Sequence, residues 1–200
     1  MRTLLSLLIA AIAIPSLAQQ TGKKQGLADM LLEYFSARFP DTIPTEHLLY
    51  VSVHRQRLYH VQGGSIKKEY VISTSANGLG ATFGSEQTPE GLHRIAEKIG
   101  MGVPPGGLLR ERVFAGQYAD TTLGQDQITA RILWLDGLEA GNNVGGAQDS
   151  FARAIYIHGT PFEGDLGRPT SHGCIRMADA DIIPLFDIVP VGTMVIILDN

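Results

Sequence analysis

The spacing of apolar residues changes along the chain and predicts two kinds of element. Near the amino end, apolar positions recur every three or four residues, which is typical of one face of an amphipathic helix. That face consists of Leu27, Met30, Leu31, Tyr34 and Phe35, with Arg38 at its polar end. Pro40 then stops the helix, because proline lacks a backbone N–H.

From Leu48 onward the apolar period falls to two, which is typical of β-strands. Alternating runs over residues 48–53, 57–61 and 66–73 are joined by short connections, the second of which contains Gly63 and Gly64. This arrangement predicts a β-meander. We expect His54 and His60, which fall at strand positions, to be half-exposed sheet residues.

The remainder of the chain reads as further short strands and loops. Strands are predicted over 92–95, 128–135, 154–158 and 195–198, with a loop over 139–150. Residues 100–126 are rich in glycine and proline and predict a long loop, of the kind that often serves as a lid.

A short helix is predicted after the cysteine, with Ile182, Leu185, Phe186 and Val189 on one face. Asp181 is its expected cap, since Pro184 then falls in the first turn, where N–H groups lack partners. We find no internal repeat, and 200 residues suit one domain of mainly β structure with short helices.

The first 18 residues have the pattern of an export signal. Arg2 precedes an apolar run over 4–14, Pro15 breaks it, and small residues stand at Ser16 and Ala18. The alternative is a retained membrane anchor, but eleven apolar residues fall short of the roughly 20 that a span needs. We therefore predict a signal peptide over 1–18, a flexible leader (19–26) and helix within 19–46, one domain over 47–200, and no membrane span after cleavage.

Composition narrows the partners. The formal charge is −4 and no lysine or arginine tract stands out, which argues against nucleic acid or an anionic membrane. The glycine-rich segment 77–84 matches neither a P-loop nor a dinucleotide fingerprint, and no cofactor is expected.

Cys174 is the only cysteine in the chain. An unpaired thiol in an exported protein is a reactive group, an intermolecular bridge or a buried small apolar residue. Its neighbours Ser171, His172, Gly173 and Arg176 make a poor core lining, so we favour the reactive thiol.

A thiol attacks carbonyl groups as the thiolate, and a nearby histidine activates it. His158 ends a predicted strand, whereas His172 lies two residues from Cys174. We favour His158 as the base because a sheet fixes its position. Its orienting partner could be Asp165, Glu163 or the carbonyl of Gly159.

Other residues near the thiol have candidate roles. Gly173 would let backbone N–H groups turn inward as an oxyanion hole. Ser171 could fix the loop by a hydroxyl hydrogen bond, and Arg176 could dock a substrate carboxylate or staple the loop. Tyr156 shares the strand face of His158, and we group Tyr156, Ser171 and Arg176 as candidate substrate-binding residues.

A zinc site is the alternative use of these side chains. His158, His172 and Cys174, with Asp165, would supply four ligands. Their H-x13-H-x-C spacing differs from the closely spaced pairs typical of structural zinc, so we predict no metal.

The segment HGT (158–160) followed by SHGCIRM (171–177) resembles the signature of L,D-transpeptidases, the YkuD-type catalytic domains of bacterial cell-wall enzymes. Three further segments resemble the family in the same order: QRLY (56–59), TPEGLHRI (88–95) and VGTMV (191–195). The resemblance implies a β-sandwich with short helices. It implies Cys174 as nucleophile and His158 as general base held by the Gly159 carbonyl, with His172 and Gly173 shaping the oxyanion loop.

The resemblance also implies a substrate and a compartment. The thiolate would attack the third residue of a peptidoglycan stem tetrapeptide, release D-alanine and pass the acyl group to an amine, giving a 3→3 cross-link in the periplasm. Water as acceptor would make the enzyme a carboxypeptidase, and a lipoprotein is another acceptor. An inactive wall-binding module is the non-enzymatic alternative, and carbapenems are the expected inhibitors.

Overall fold

The structure is a computed structural model that describes residues 17–40, 46–124 and 126–200, with side chains from Gly26 onward within these ranges. The predicted signal peptide therefore lies almost wholly outside the described residues. Within the described part, no helix is both long enough and apolar enough to cross a membrane.

The amino-terminal helix is longer than its apolar pattern indicates. Helix α1 spans Leu17–Arg38, so the predicted flexible leader at 19–26 is helical. This segment contains no proline, and its glutamine and lysine residues favour helix. The buried face is formed by Ala28, Leu31 and Phe35, while Met30 and Tyr34 are partly exposed, so the predicted face was only partly right.

Ten strands make up the described part of the sheet. They are β1 (His47–Ser52), β2 (Arg57–Gln62), β3 (Ser65–Ser73), β4 (Gly91–Ile99), β5 (Gly107–Arg110), β6 (Val113–Tyr118), β7 (Thr129–Gly137), β8 (Tyr156–Thr160), β9 (Ile175–Ala178) and β10 (Met194–Leu198). Their order is β4-β10-β1-β2-β3-β9-β8-β7-β5-β6, and β4 also pairs with β7. The sheet therefore closes on itself, which confirms a mainly β fold of sandwich or barrel type.

The predicted meander is confirmed, since β1, β2 and β3 pair antiparallel in sequence order. The prediction of a long loop after β4 was wrong. Residues 100–126 are not one long loop but contain the hairpin β5–β6, which joins the sheet through Leu108 and Thr129. Strand β6 is mostly exposed on both faces, so it carries no alternating pattern to predict it.

His60 also differs from expectation. It is buried and its Nε2 lies 2.8 Å from the Nδ1 of His47, with the two rings stacked. His54 lies in the turn between β1 and β2 and is exposed. The apolar pattern of β2 alone cannot show that His47, on the neighbouring strand β1, stacks on His60.

Helix α2 (Asp179–Ile188) follows β9 directly. Ala178 occupies the cap position without a side-chain hydrogen bond, so the prediction of Asp181 as cap was wrong. Asp181 instead forms an ion pair with Lys68, at 3.1 Å. Pro184 lies inside the helix.

The core has two large parts and a smaller one. The first lies between the sheet and α2, where Phe186 packs with Leu49, Ile72 and Ile157. The second lies under α1, where Leu31 and Phe35 meet β-strand residues. The third contains Ile132 and Tyr156, with Cys174 packed against it, and so connects the candidate site to the core.

Candidate active site

Two neighbouring parallel strands carry the candidate site. In the β8–β9 ladder Ile157 pairs with Ile175, and His158 pairs with Arg176. Side chains two residues apart on a strand share a face. Cys174, immediately before β9, therefore lies on the face of Arg176 and diagonally across from His158.

Cys174 is half-buried in mixed surroundings. Its Sγ donates to the carbonyl of Ala154 at 3.5 Å, and the backbone amide of Tyr156 contacts the sulfur. Burial raises the pKa of the Cys174 thiol to about 12, although Tyr156 and two arginines favour the thiolate. The resting group is therefore a neutral thiol, and attack requires a base to remove its proton.

His158 is buried at the end of β8, with 1% of its surface exposed. Its Nδ1 lies 2.8 Å from the Gly159 carbonyl. A carbonyl only accepts, so Nδ1 carries the proton and Nε2 keeps a lone pair. Burial lowers the pKa of His158, so the imidazole is neutral near pH 7 and able to act as a base.

The two side chains are not hydrogen-bonded in this structure. Among the described residues, the hydrogen bond of the Cys174 thiol goes to Ala154 and not to the imidazole of His158. Catalytic hydrogen bonds are often long before substrate binds and tighten in the complex. The neutral thiol of Cys174 and the neutral imidazole of His158 thus lie on one face of the sheet without a hydrogen bond between them.

Among the three groups considered as partners of the His158 ring, the Gly159 carbonyl is the one that it contacts. Asp165, an earlier candidate, pairs with exposed Arg168 at 3.2 Å, and Glu163 is exposed on a 3-10 turn, so neither orients the ring. Gly159 has no room for a side chain, because an added Cβ would overlap the Asp179 carboxylate and stand 2.5 Å from the Thr129 carbonyl.

The loop before Cys174 is held by buried hydroxyls. Gly173 has φ +120°, a conformation that favours glycine. Its carbonyl accepts from Thr88 Oγ1 at 2.9 Å, and its N–H donates to Ser171 Oγ at 3.3 Å. Ser171 in turn donates to the Cys174 carbonyl at 2.5 Å. Ser171 thus links two backbone groups of this loop, and its role in substrate binding stays a prediction.

Tyr156 packs in the core beside the thiol. It is 6% exposed, its ring meets Trp134 edge-on at 5.3 Å, and its hydroxyl accepts from Arg112 at 3.4 Å. A role for Tyr156 in substrate binding stays a prediction.

Asp126 is a site residue that the sequence pattern did not reveal. Its Oδ2 lies 2.6 Å from the Arg176 guanidinium and 3.2 Å from Nδ1 of His172. Burial favours the neutral acid, but the bonds from Arg176 and His172 and the nearby His158 bring the pKa of Asp126 below its ordinary value. Arg176 is therefore stapled by a carboxylate from the segment before β7.

Two pockets flank the exposed side chain of His172. The larger has a volume of about 300 Å³. It is lined by Gly124, Asp126, Phe162, Asp165, Thr170, His172 and Arg176. The smaller, of about 190 Å³, is lined by Phe83, Gly84, Glu86, Arg153, Ile155 and His172. The two pockets therefore meet at His172, two residues before Cys174, although the lining of neither includes Cys174 itself.

The four side chains considered as zinc ligands do not converge. Asp165 pairs with Arg168, and His172 pairs with Asp126. Within residues 17–40, 46–124 and 126–200, no group of three or more histidine, cysteine or acidic residues is placed to hold a metal ion.

Comparison with known proteins identifies the family. The sequence profile of the L,D-transpeptidase catalytic domain, named YkuD, matches residues 46–197. A putative L,D-transpeptidase of Bacillus subtilis, YqjB, is 43% identical over 54 residues, 27% of this chain and 31% of that protein. The probable L,D-transpeptidase ErfK/SrfK of Escherichia coli is 51% identical over 48 residues, 24% of this chain and 16% of that protein.

Solved structures agree at the level of the fold. An L,D-transpeptidase from Mycobacterium smegmatis superposes with a TM-score of 0.50 at 16% identity, over 76% of this chain and 58% of that one. The chain belongs to the L,D-transpeptidase catalytic domain family. The matched stretches span about a third or less of the curated relatives' length.

Proposed function

We propose that the protein is a peptidoglycan L,D-transpeptidase with Cys174 as its nucleophile and His158 as its general base. Membership of the family supports the reaction class. The observation that carries the assignment of roles is the His158 Nδ1–Gly159 contact of 2.8 Å, which leaves a basic Nε2 on the sheet face of Cys174.

The first half of the reaction forms an acyl-enzyme. His158 Nε2 takes the thiol proton as Cys174 Sγ attacks the carbonyl carbon of the third residue in a stem tetrapeptide. The tetrahedral intermediate collapses, the C–N bond to terminal D-alanine breaks, and the imidazolium gives its proton to the leaving amine. The product is a thioester on Cys174.

The second half transfers the acyl group. An amine of a second stem attacks the thioester, gives its excess proton to His158, and the C–S bond breaks. The 3→3 cross-link is formed and the proton returns to the sulfur. His172 and Gly173 shape the loop beside the reacting carbonyl, with Arg176 and Tyr156 at its edge.

Water as acceptor gives the runner-up function, an L,D-carboxypeptidase using the same thioester. The open pockets beside His172 favour neither acceptor by their lining. A lipoprotein amine is a further acceptor of the same chemistry. An inactive wall-binding module would retain the fold without turnover, and the intact Cys174–His158 arrangement argues against it. Action on peptidoglycan requires export, so we also propose that residues 1–18 direct the chain to the periplasm.

The test is a muropeptide profile. Purified protein is mixed with disaccharide-tetrapeptides, and the products are separated by chromatography and identified by mass spectrometry. Cys174→Ala is the matched control. We expect 3→3 dimers from the wild type and none from Cys174→Ala. Tripeptides without dimers would assign the hydrolase, and binding to sacculi without any product would assign the inactive module.

A further inference from the structure

Arg176 is a buried cation next to Cys174 and His158, and its charge affects the transfer of a proton between them. Arg176 on β9 is the register partner of His158 on β8, and its side chain is 5% exposed. A guanidinium stays charged at all relevant pH values. A positive charge so close favours the thiolate but opposes the imidazolium that forms when His158 takes the thiol proton.

Asp126 supplies the compensating charge. Its Oδ2 accepts from the Arg176 guanidinium at 2.6 Å, and its side chain is 25% exposed. Among the residues that the structure describes, the guanidinium also donates from Nη1 to Thr170 Oγ1 at 3.4 Å, and its Nε is buried without a partner. The carboxylate is therefore the strongest contact of Arg176.

We propose that Asp126 is a positioning residue of this site: its carboxylate neutralises and orients Arg176, so that the thiol proton can pass to His158. Asp126 comes from the segment between β6 and β7, far from Cys174 in sequence. The inference extends the proposed function and depends on it only for its catalytic consequence.

The other charged groups around the pair are few. Arg153 acts on the Cys174 thiol and donates to the carbonyls of Gly80 and Gln87. Asp179 acts on His158 and accepts from Thr129 and from the Gly106 N–H. Asp126 raises the pKa of both Cys174 and His158, whereas Arg176 lowers both. The charge of this ion pair thus acts on both proton carriers at once.

Alkylation of Cys174 by iodoacetamide tests the inference without any peptidoglycan substrate. Only thiolate reacts, so at about pH 8 the rate follows the thiolate fraction, which changes about tenfold for each unit of thiol pKa. Asp126→Asn should speed alkylation about threefold to tenfold, because Arg176 then acts alone. Arg176→Gln should slow it, and the double variant should return to within about twofold of wild type.

The matched control is Asp136→Asn. Asp136 accepts from Arg94 at 2.7 Å, a contact of similar length between β4 and β7 that does not face the thiol. In the Asp136→Asn variant, the rate of Cys174 alkylation should stay within about twofold of wild type. A merely structural role for Asp126 would loosen the loop and speed alkylation in both single variants and in the double variant.

The inference is overturned if Asp126→Asn reacts at the wild-type rate, or if Arg176→Gln reacts faster than wild type. If Asp126→Asn does not fold, Arg176→Gln and Arg176→Lys decide: the lysine variant should react near the wild-type rate and the glutamine variant more slowly, and equal rates would overturn the inference. Absence of 3→3 dimers from wild type would contradict the proposed function alone.

Discussion

Thr88 ties the loop that carries Cys174 to the neighbouring chain, and its hydroxyl can be removed with little change in shape. Thr88 is fully buried. Its Oγ1 accepts from the Ser75 N–H at 3.0 Å and donates to the Gly173 carbonyl at 2.9 Å. Thr88→Val therefore leaves one donor and one acceptor of the backbone without these partners.

The magnitude follows from those two groups. Each buried polar group left unsatisfied costs about 1–3 kcal/mol, so the two groups together should reduce the free energy of unfolding of Thr88→Val by about 2–6 kcal/mol. Thr88→Ser keeps the hydroxyl and loses one methyl group, which costs about 1 kcal/mol. Stability should therefore rank wild type above Thr88→Ser and Thr88→Ser above Thr88→Val.

Thermal unfolding followed by circular dichroism measures this ranking. In a chain of this size, 1 kcal/mol moves the Tm by about 2–4 °C, so Thr88→Val should unfold at least about 4 °C below wild type. Acylation of Cys174 should slow in parallel because the Gly173 turn loses its anchor. A free energy of unfolding for Thr88→Val within about 0.5 kcal/mol of wild type, or for Thr88→Ser no higher than for Thr88→Val, would contradict a stabilising role of the Thr88 hydroxyl.

Three further predictions follow from the same structure. Because burial lowers the pKa of His158 from 6.5, its neutral form persists at lower pH, and the acid limb of kcat/KM should lie below pH 6.5; a midpoint above that value would count against His158 as the buried base. Gly159→Ala should lower the free energy of unfolding by about 1–3 kcal/mol through overlap with Asp179, whereas Gly164→Ala, with open space around it, should change the Tm little; equal Tm values would contradict the packing argument. The pKa values of His60 and His93 are lowered from 6.5 to about 4, so the unfolded chain binds protons first, and urea midpoints should fall as the pH drops from 6.5 toward 4; His93→Gln should reduce this slope, and an unchanged slope would refute the assignment.

The strands that could be predicted are those with long buried, apolar runs. Strands β1 and β2 are buried along almost their whole length, and their positions agree with the predicted strands over 48–53 and 57–61. Strand β6 could not be predicted, because its residues are exposed and follow no period. Strand β9 has four residues directly after the cysteine, too few for a period to emerge.

The site residues also differ in whether the local sequence could reveal them. Cys174, His158 and Gly159 stand in short motifs, so local sequence suffices to nominate them. Asp126 and Thr88 contact the site from distant segments, and no spacing along the chain connects either residue to Cys174. The prediction of Asp181 as the cap of α2 failed because Lys68, which lies on β3 and is distant in sequence, binds the Asp181 carboxylate.

The most direct test of the account is the site of β-lactam acylation. Wild type and Cys174→Ala are incubated with imipenem, and intact mass and peptide mapping locate the adduct. We predict one adduct on wild type, mapped to Cys174, and none on Cys174→Ala. An unmodified wild-type protein, or an adduct retained by Cys174→Ala, would contradict the claim that Cys174 is the nucleophile.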